Sequence, residues 1–341
     1  MKGRRSMTIT AIATAILLVP TPAVAATPTT VWSAPGLTAA SFSVDGTLAL
    51  LTVNTSAGGR FEIRQAATGA LVRTVTSPEK FTGATISPDR QVVAVTLNDS
   101  SSGLTVRTIR LYRASDGAVL RNVRTTATRD LTSVDISSDG RLVAAADRRT
   151  YEQGGRVHVH RVADGTTVTV LTTDATTGAV RFSPDGRYLA ANVRLVVNGQ
   201  FASVVRVFRT SDWSTVQTTG VGNLLVRWTP DSTGIWNSTI LPGAPTGVQL
   251  LAVPGGTVQR SVVLGQYDTV SDVTDDGALV LAGRAAAPRR SLTFTDTVTG
   301  QAVTTYDFAG DVFAGDISRD GTLFTYVLNT SGYAVQVARL G

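Results

Sequence analysis

Cysteine is absent from the 341-residue chain, and histidine and glutamate are scarce. Without cysteine there is no disulfide, no thiolate nucleophile and no attachment point for a lipid at an N-terminal cysteine, so packing alone must stabilise the fold. The two histidines are His158 and His160, and the three glutamates are Glu62, Glu79 and Glu152. These residue types supply many metal ligands and general bases, so we expect no cofactor, no metal site and no catalytic residues.

Lysine is also rare, and one of the two lysines lies in a basic N-terminal segment. Lys2, Arg4 and Arg5 precede an apolar run at residues 8–19, which is followed by Ala23-Val24-Ala25. This pattern is typical of a secretory signal peptide with an A-x-A cleavage site. The run of about a dozen residues is shorter than the roughly 20 that a helix needs to span a bilayer. We therefore expect residues 1–25 to be a signal peptide cleaved after about Ala25.

The excess of positive charge largely belongs to that segment. The whole chain has a formal charge of +6, and removal of Lys2, Arg4 and Arg5 leaves 28 basic and 25 acidic side chains, or +3. So small an excess does not indicate a nucleic-acid partner. We expect residues 26–341 to be a secreted monomer, extracellular, periplasmic or at the cell surface, with no stable membrane insertion.

One short motif recurs seven times along the rest of the chain. Each copy has an apolar residue, Ser or Thr, any residue and then Asp, usually followed by Gly, and the aspartates are 44 to 50 residues apart. The aspartates are Asp45, Asp89, Asp139, Asp185, Asp231, Asp276 and Asp320. A period of about 45 residues with four short strands per repeat is typical of a β-propeller blade. The sequence therefore predicts an all-β fold, a seven-bladed propeller in residues 26–341.

Within each repeat the turn residues predict four antiparallel strands, named a to d. The Ser-x-Asp-Gly turn joins strand a to strand b, because Asp bonds nearby backbone and Gly accepts positive φ. A short apolar run follows, such as residues 48–53, and this is typical of a strand buried on both faces. An alternating strand c, such as residues 156–162, a second turn at Asp164-Gly165 and a strand d complete the blade.

The two ends of the chain predict how the ring closes. The seventh repeat has strands a, b and c, and then the chain stops at Gly341. The segment before the first repeat, residues 29–35, aligns with residues 73–78 at the end of repeat one. We expect this N-terminal strand to supply strand d of the last blade, which removes the open sheet edges.

The repeats resemble the WD40-like β-propeller repeats of bacterial secreted and periplasmic proteins, of the Ser-Pro-Asp-Gly type found in the TolB and YVTN families. The segment Phe182-Ser183-Pro184-Asp185-Gly186 carries the motif in full, and the resemblance covers essentially all of residues 26–341. The Gly-His and Trp-Asp dipeptides of eukaryotic WD40 repeats do not occur, and Asp212-Trp213 has the reverse order. The resemblance implies the propeller fold and says little about function.

Catalysis is an alternative that the residue types disfavour. Some YVTN-like propellers are lactonases that hold a metal in the central channel with Glu, Asn, Asp and His, but the channel-side positions here contain no Glu or His. We interpret His158 and His160 as two polar residues on one face of an outer strand, and the chain has no Gly-x-Ser-x-Gly elbow. A lactonase-like, metal-dependent hydrolase stays as an alternative. A carbohydrate-binding propeller is the other, although only 6% of residues are aromatic.

One repeat position carries charge around the predicted channel. The residue just before the apolar residue of each motif lies on strand a, the innermost strand. The seven residues are Ser41, Thr85, Asp135, Arg181, Arg227, Asp272 and Asp316. We expect Asp135 to lie beside Arg181, and Arg227 beside Asp272, in neighbouring blades. The pattern indicates either ion pairs that join the blades or a polar channel that binds a small anion or a sugar.

Loops on the predicted top of the propeller carry a second set of candidate binding residues. Function in propellers usually lies in the b-to-c and d-to-a loops, because loops on a rigid scaffold can vary. The candidates are Arg148, Arg149, Tyr151, Glu152, Phe201, Tyr267, Arg284, Arg289 and Arg290. Arginine with aromatic residues is typical of a recognition surface, and the alternative is a set of solvated loops.

These observations favour binding over chemistry. We expect a secreted, non-catalytic scaffold that binds another protein or an envelope polymer through its top loops and channel mouth. The sequence does not identify that partner.

The signal peptide gives the first testable prediction. Protein recovered from the medium or the periplasm should begin at about Ala26, because signal peptidase cuts after an A-x-A motif. N-terminal sequencing or intact-mass measurement checks this. A chain that keeps Met1 and stays in the cytoplasm would show that residues 1–25 are not an export signal.

Overall fold

The computed structural model describes ten stretches of the chain and shows 29 strands. The described residues are 25–98, 107–126, 130–147, 155–173, 176–197, 200–219, 226–239, 246–265, 268–284 and 288–340. The strands are β1 (Ala25–Ala26), β2 (Thr29–Pro35), β3 (Ala39–Phe42), β4 (Leu48–Thr55), β5 (Gly58–Gln65), β6 (Leu71–Ser77), β7 (Lys80–Ile86), β8 (Val92–Asn98), β9 (Arg107–Arg113), β10 (Val119–Arg124), β11 (Leu131–Ile136), β12 (Leu142–Asp147), β13 (Arg156–Arg161), β14 (Thr167–Thr172), β15 (Thr176–Phe182), β16 (Tyr188–Val197), β17 (Gln200–Arg209), β18 (Thr215–Thr219), β19 (Val226–Trp228), β20 (Gly234–Thr239), β21 (Gly247–Ala252), β22 (Val258–Val263), β23 (Asp268–Val273), β24 (Leu279–Arg284), β25 (Ser291–Asp296), β26 (Ala302–Asp307), β27 (Asp311–Ile317), β28 (Leu323–Asn329) and β29 (Tyr333–Arg339).

The strands form seven sheets, each with four antiparallel strands in the order a to d. Blades 1 to 6 are β3–β6, β7–β10, β11–β14, β15–β18, β19–β22 and β23–β26, and blade 7 is β27, β28, β29 and β2. The two-residue strand β1 adds a parallel fifth strand to the outer edge of blade 6. The prediction of a seven-bladed all-β propeller is confirmed, and no helix occurs among the described residues. Those residues accordingly include no helix of the length and hydrophobicity needed to cross a membrane.

The repeated motif builds the same a-to-b turn in every blade. In blade 7, Ser318 Oγ donates to Asp320 Oδ1 at 2.6 Å and accepts the Leu323 N–H at 2.9 Å. The same carboxylate oxygen accepts the Thr322 N–H at 3.1 Å. The bond from Ser318 is the main cause that lowers the pKa of Asp320, so the carboxylate is held in its charged form. One hydroxyl and one carboxylate per repeat thus fix where strand b begins.

The hydrophobic core is divided among the seven contacts between neighbouring blades. Each contact has its own cluster of buried apolar side chains, and the last one joins blade 7 to blade 1. Between blades 1 and 2 the rings of Phe61 and Tyr112 meet edge to face, 5.3 Å between centroids. Between blades 6 and 7 the rings of Phe294 and Phe324 do the same at 5.1 Å. Each blade is therefore stabilised mainly by its two neighbours.

Outer strands add polar contacts between blades that the sequence analysis did not anticipate. The third residue of strand d is an arginine in blades 1, 2 and 5, and each reaches the next blade. Arg73 donates to the Ser115 carbonyl at 2.6 Å, Arg121 to the Ala163 carbonyl at 2.7 Å and Arg260 to the Gly277 carbonyl at 3.0 Å. These guanidinium groups satisfy turn carbonyls at the rim, which accounts for part of the arginine excess.

Two a-to-b turns lack the glycine that the motif usually has after its aspartate. Arg90 and Ser232 occupy that place with φ of 61° and 62°, in the left-handed region that disfavours side chains. Each uses its side chain to reach the preceding blade. Arg90 Nη1 lies 3.0 Å from Asp45 Oδ2, and Ser232 Oγ accepts the Asp185 N–H at 3.0 Å. Backbone strain in these turns is offset by a contact between blades.

The N-terminal strand closes the ring as predicted. Strand β2 pairs antiparallel with β29, from Thr29 opposite Arg339 to Pro35 opposite Ala334. Trp32 Nε1 donates to the Ala66 carbonyl of blade 1 at 2.7 Å, so this strand contacts both sides of the last joint.

Removal of β2 should therefore destabilise the whole propeller. A chain that begins at Ala34 loses most of β2 and the Trp32 contacts, and it exposes the edge of β29. We expect a loss of roughly 3–5 kcal/mol in the free energy of unfolding, or aggregation, relative to a chain that begins at Ala26. Urea unfolding followed by circular dichroism measures this. Equal stability and solubility of the two chains would refute closure by β2.

Candidate functional site

The seven channel positions predicted from the repeat do meet around a common cavity. Each lies at the end of strand a, next to the a-to-b turn. Ser41, Thr85, Asp135, Arg181, Arg227, Asp272 and Asp316 all line a cavity of about 840 Å³. All seven blades contribute to its wall. A cavity of this size matches the range of small-molecule sites.

The cavity lies at the end of the channel formed by the a-to-b turns. The middle residue of each motif also lines it, as Val44, Pro88, Ser138, Pro184, Pro230, Asp275 and Arg319. We call this end, with the a-to-b and c-to-d turns, the turn face, and the opposite end the loop face. Strand a spans about 20 Å between them, as seven residues do in β7. The ring and the top loops, which we expected to act together, therefore lie at opposite ends of the blades.

Arg227 ties together the charged groups of blades 5, 6 and 7. Its Nη1 bonds Asp272 Oδ2 and lies 3.5 Å from Asp316 Oδ1, and its Nη2 bonds Asp275 Oδ1 at 2.6 Å. Arg319 Nε completes the group at 2.7 Å from Asp275 Oδ2. The expected pairing of Arg227 with Asp272 is present, within a larger network. Asp272 is buried and Arg227 is half-buried. Substitution of either one by a neutral residue would therefore leave the charge of the other without its partner.

The channel carboxylates also accept backbone N–H groups from the next blade. Asp135 Oδ2 accepts the Phe182 N–H at 2.7 Å, and Asp272 Oδ2 accepts the Ile317 N–H at 2.8 Å. Asp316 Oδ2 accepts the Phe42 N–H at 2.7 Å, which joins blade 7 to blade 1. Sequence reasoning predicted ion pairs at this position but not these amide contacts, because the sequence does not reveal which backbone donors face a carboxylate.

Burial raises the pKa of two of these carboxyl groups. Burial and then the neighbouring Asp272 carboxylate raise the pKa of Asp316 well above its usual range, while Arg227 acts in the opposite direction. Burial also raises the pKa of Asp135, against the influence of Arg181. The negative charge of Asp272 disfavours a second negative charge beside it, so Asp316 favours its protonated form.

Arg181 does not form the ion pair with Asp135 that the sequence suggested. The two residues lie near enough for the Arg181 charge to act against the raised pKa of Asp135, but no ion pair within 4.0 Å joins them. Arg181 Nη1 instead donates to the Val180 carbonyl at 2.9 Å, and the residue is exposed in the channel.

Most predicted loop-face residues lie outside the described residues. These are Arg148, Arg149, Tyr151, Glu152 and Tyr267. Phe201 belongs to strand β17. Arg284 and Arg290 are exposed, whereas Arg289 stacks over the Phe313 ring at 5.0 Å. The three described arginines thus share one end of blade 6, with one of them already packed against blade 7.

The two histidines lie on one face of strand c as interpreted from the sequence, and both are buried. His158 and His160 are 0% and 1% exposed, and they lie on the same face of β13. His158 Nε2 lies 3.2 Å from Asp147 Oδ2, and Asp147 also accepts the Arg156 N–H at 2.6 Å. The alternation of Val and His along strand c predicts that both rings lie on one face of the strand. It does not predict whether that face contacts solvent or a neighbouring blade. Within the described ranges no cluster of three or more metal-ligating side chains occurs.

Comparisons with known proteins support the fold. No protein-family model matches the chain, and no curated protein sequence matches it. Among solved structures, 1228 chains match. One, described as hydrazine synthase from Kuenenia stuttgartiensis, is 16% identical with a TM-score of 0.67, and the alignment covers 90% of this chain and 96% of that one. At this identity the likeness shows a shared fold, and the function has to be argued from the site.

The paired carboxyls give a pH-dependent prediction. The raised pKa of Asp316 means that the folded state binds its proton more tightly than the unfolded chain does. That contribution to stability is complete below about pH 4 and is lost as pH rises through the folded pKa. The variant Asp316→Asn donates an amide N–H in place of the proton and does not titrate. We expect wild type to lose stability relative to this variant as pH rises above about 4 in urea unfolding.

Asp320→Asn is the matched control, because the pKa of Asp320 is lowered. The difference in the free energy of unfolding between wild type and Asp320→Asn should change with pH in the opposite direction. Wild type should be the more stable protein above about pH 4, and this difference should shrink as pH falls through the folded pKa of Asp320. Parallel pH profiles for wild type and Asp316→Asn would contradict a raised pKa of Asp316 in the folded protein.

Proposed function

We propose that this chain is a secreted, non-catalytic binding propeller of the WD40-like, TolB and YVTN type, and that its ligand enters the channel from the turn face. The observation that carries this proposal is the cavity of about 840 Å³, to which every blade contributes a side chain next to its a-to-b turn. A site built from all blades of a rigid ring is preorganised. The ligand is a protein segment or part of an envelope polymer.

The chemistry of the cavity favours binding over catalysis. The lining residues that belong to the described part of the chain include no His, Cys, Lys or Glu. The carboxyls with raised pKa could in principle donate a proton, but Asp135 and Asp316 each accept a backbone N–H from the next blade. Asp272 and Asp275 are bonded to Arg227. These groups are occupied in joining blades, and a general acid or base must be free to contact substrate.

Secretion and the repeat type are supported by the sequence. The segment with Lys2, Arg4, Arg5 and Ala23-Val24-Ala25 has the order of a signal peptide, and the Ser-Pro-Asp-Gly turn is typical of bacterial exported propellers. Export would place the channel in contact with proteins and polymers of the envelope.

A bulky residue at the mouth tests where binding occurs. Val44 lines the cavity and is 45% exposed, so Val44→Trp should narrow the entrance without disturbing the turn. We expect binding of isolated cell-wall polymer, measured by co-sedimentation, to weaken about tenfold or more. Val298→Trp is the control, because Val298 is 74% exposed and does not line the cavity.

Other outcomes would locate or refute the function. Loss of binding with Arg290→Gln but not with Val44→Trp would move the site to the loop face. Turnover of a lactone substrate that stops in chelator would contradict a non-catalytic role and support the hydrolase alternative.

A further inference from the structure

Two arginines at equivalent positions in neighbouring blades have different surroundings. Arg181 and Arg227 both come just before the apolar residue of their motif, in blades 4 and 5. Arg227 is half-buried, and its two terminal nitrogens contact the carboxylates of blades 6 and 7. Arg181 is exposed in the channel and bonds one backbone carbonyl, that of Val180. One arginine joins blades, and the other presents free N–H donors to the cavity.

The carboxylates that line the cavity are already engaged. Asp272, Asp275 and Asp316 surround Arg227, and Asp275 also bonds Arg319. Asp185 and Asp231 accept hydroxyl and amide hydrogens within their own turns. Asp135 accepts the Phe182 N–H. Among the described residues of the cavity, Arg227 and Arg319 are each bonded to a carboxylate, whereas Arg181 has no carboxylate within 4.0 Å and bonds only the Val180 carbonyl. A guanidinium fork fits a carboxylate with two parallel bonds, so Arg181 is the arginine suited to pair with the carboxylate of a ligand.

The charge of the turn face limits which anions can enter. The a-to-b turns contain eight aspartates and four arginines: Asp45, Asp89, Asp139, Asp185, Asp231, Asp275, Asp276 and Asp320 against Arg90, Arg141, Arg187 and Arg319. This negative excess repels a polyanion on approach. A molecule with a single negative charge meets less repulsion and gains the short-range bonds of Arg181.

Apolar residues surround the same entrance. Val44, Pro88, Pro184 and Pro230 come from four different turns, and Phe42 adds an aromatic ring below them. These apolar residues can pack against the hydrocarbon part of a ligand while the Arg181 guanidinium bonds its polar group.

We propose that Arg181 makes the turn-face cavity a site for a small molecule, or a protein side chain or terminus, that carries one carboxylate on an apolar body. This inference rests on the proposed use of the channel and names the ligand chemistry. Dianions and nucleic acid are excluded by the acidic turns, and neutral analogues lack the charge that Arg181 recognises.

The experiment compares three probes by calorimetry on the mature protein at fixed ionic strength: benzoate, its neutral isostere benzamide, and the dianion phthalate. We expect benzoate to bind about tenfold or more tightly than either of the others. In the variant Arg181→Gln the affinity for benzoate should fall to the affinity for benzamide. The affinity for benzamide should be the same in the variant and in wild type. Arg141→Gln is the control, because Arg141 lies in a turn outside the cavity and its side chain is 85% exposed.

Each other outcome has a defined meaning. Equal benzoate affinity in wild type and Arg181→Gln, equal affinity for benzamide, or no benzoate binding in wild type would overturn the inference. Benzoate binding that is lost in Val44→Trp and kept in Arg181→Gln would leave the channel site standing without the role of Arg181. Tight benzoyl-peptide binding through a C-terminal carboxylate, with weak binding of free benzoate, would identify a protein terminus as the source of the group.

Discussion

The joint between blade 7 and blade 1 holds the other six joints in place. A blade has no core of its own, because its apolar side chains pack against the blades on either side. An open array would leave two blades with a single neighbour each, and stability in such arrays depends on nearest-neighbour contacts. Here the N-terminal strand β2 lies in the same sheet as the C-terminal strand β29. Opening the ring therefore requires breaking a sheet, an apolar cluster and the Asp316 contact with the Phe42 amide together.

The architecture was predictable because one residue pattern fixes it locally. The hydroxyl, the aspartate and the residue after it set the start of strand b in each repeat, so counting copies of the motif counted the blades. The closing strand was also predictable, since residues 29–35 match the end of repeat one and the seventh repeat lacks a fourth strand. The residues around the channel followed from the same register, as Arg227 and Asp272 show.

The partners and the burial of individual side chains depend on contacts between blades, which a repeat pattern does not describe. Arg181 and Arg227 have the same place in their repeats, yet Arg181 is exposed and Arg227 is enclosed. Blades 6 and 7 offer carboxylates to Arg227, whereas the Asp135 carboxylate of blade 3 bonds the Phe182 amide and not Arg181. His158 and His160 were assigned to one face correctly, but their burial depends on the neighbouring blade. The arginines of strand d bond carbonyls some 17 to 42 residues away, and sequence periodicity carries no information about carbonyl partners.

The two turns without glycine show that the seven repeats are not interchangeable. Arg90 matches an aspartate and a threonine in blade 1, and Ser232 matches an amide in blade 4. Each of these side chains adds a contact to the preceding blade that a glycine at the same place could not make. A left-handed backbone, which costs free energy within the turn, is thus retained where the side chain strengthens the joint between two blades. The joints around the ring therefore differ in strength although the turns that form them share one backbone shape.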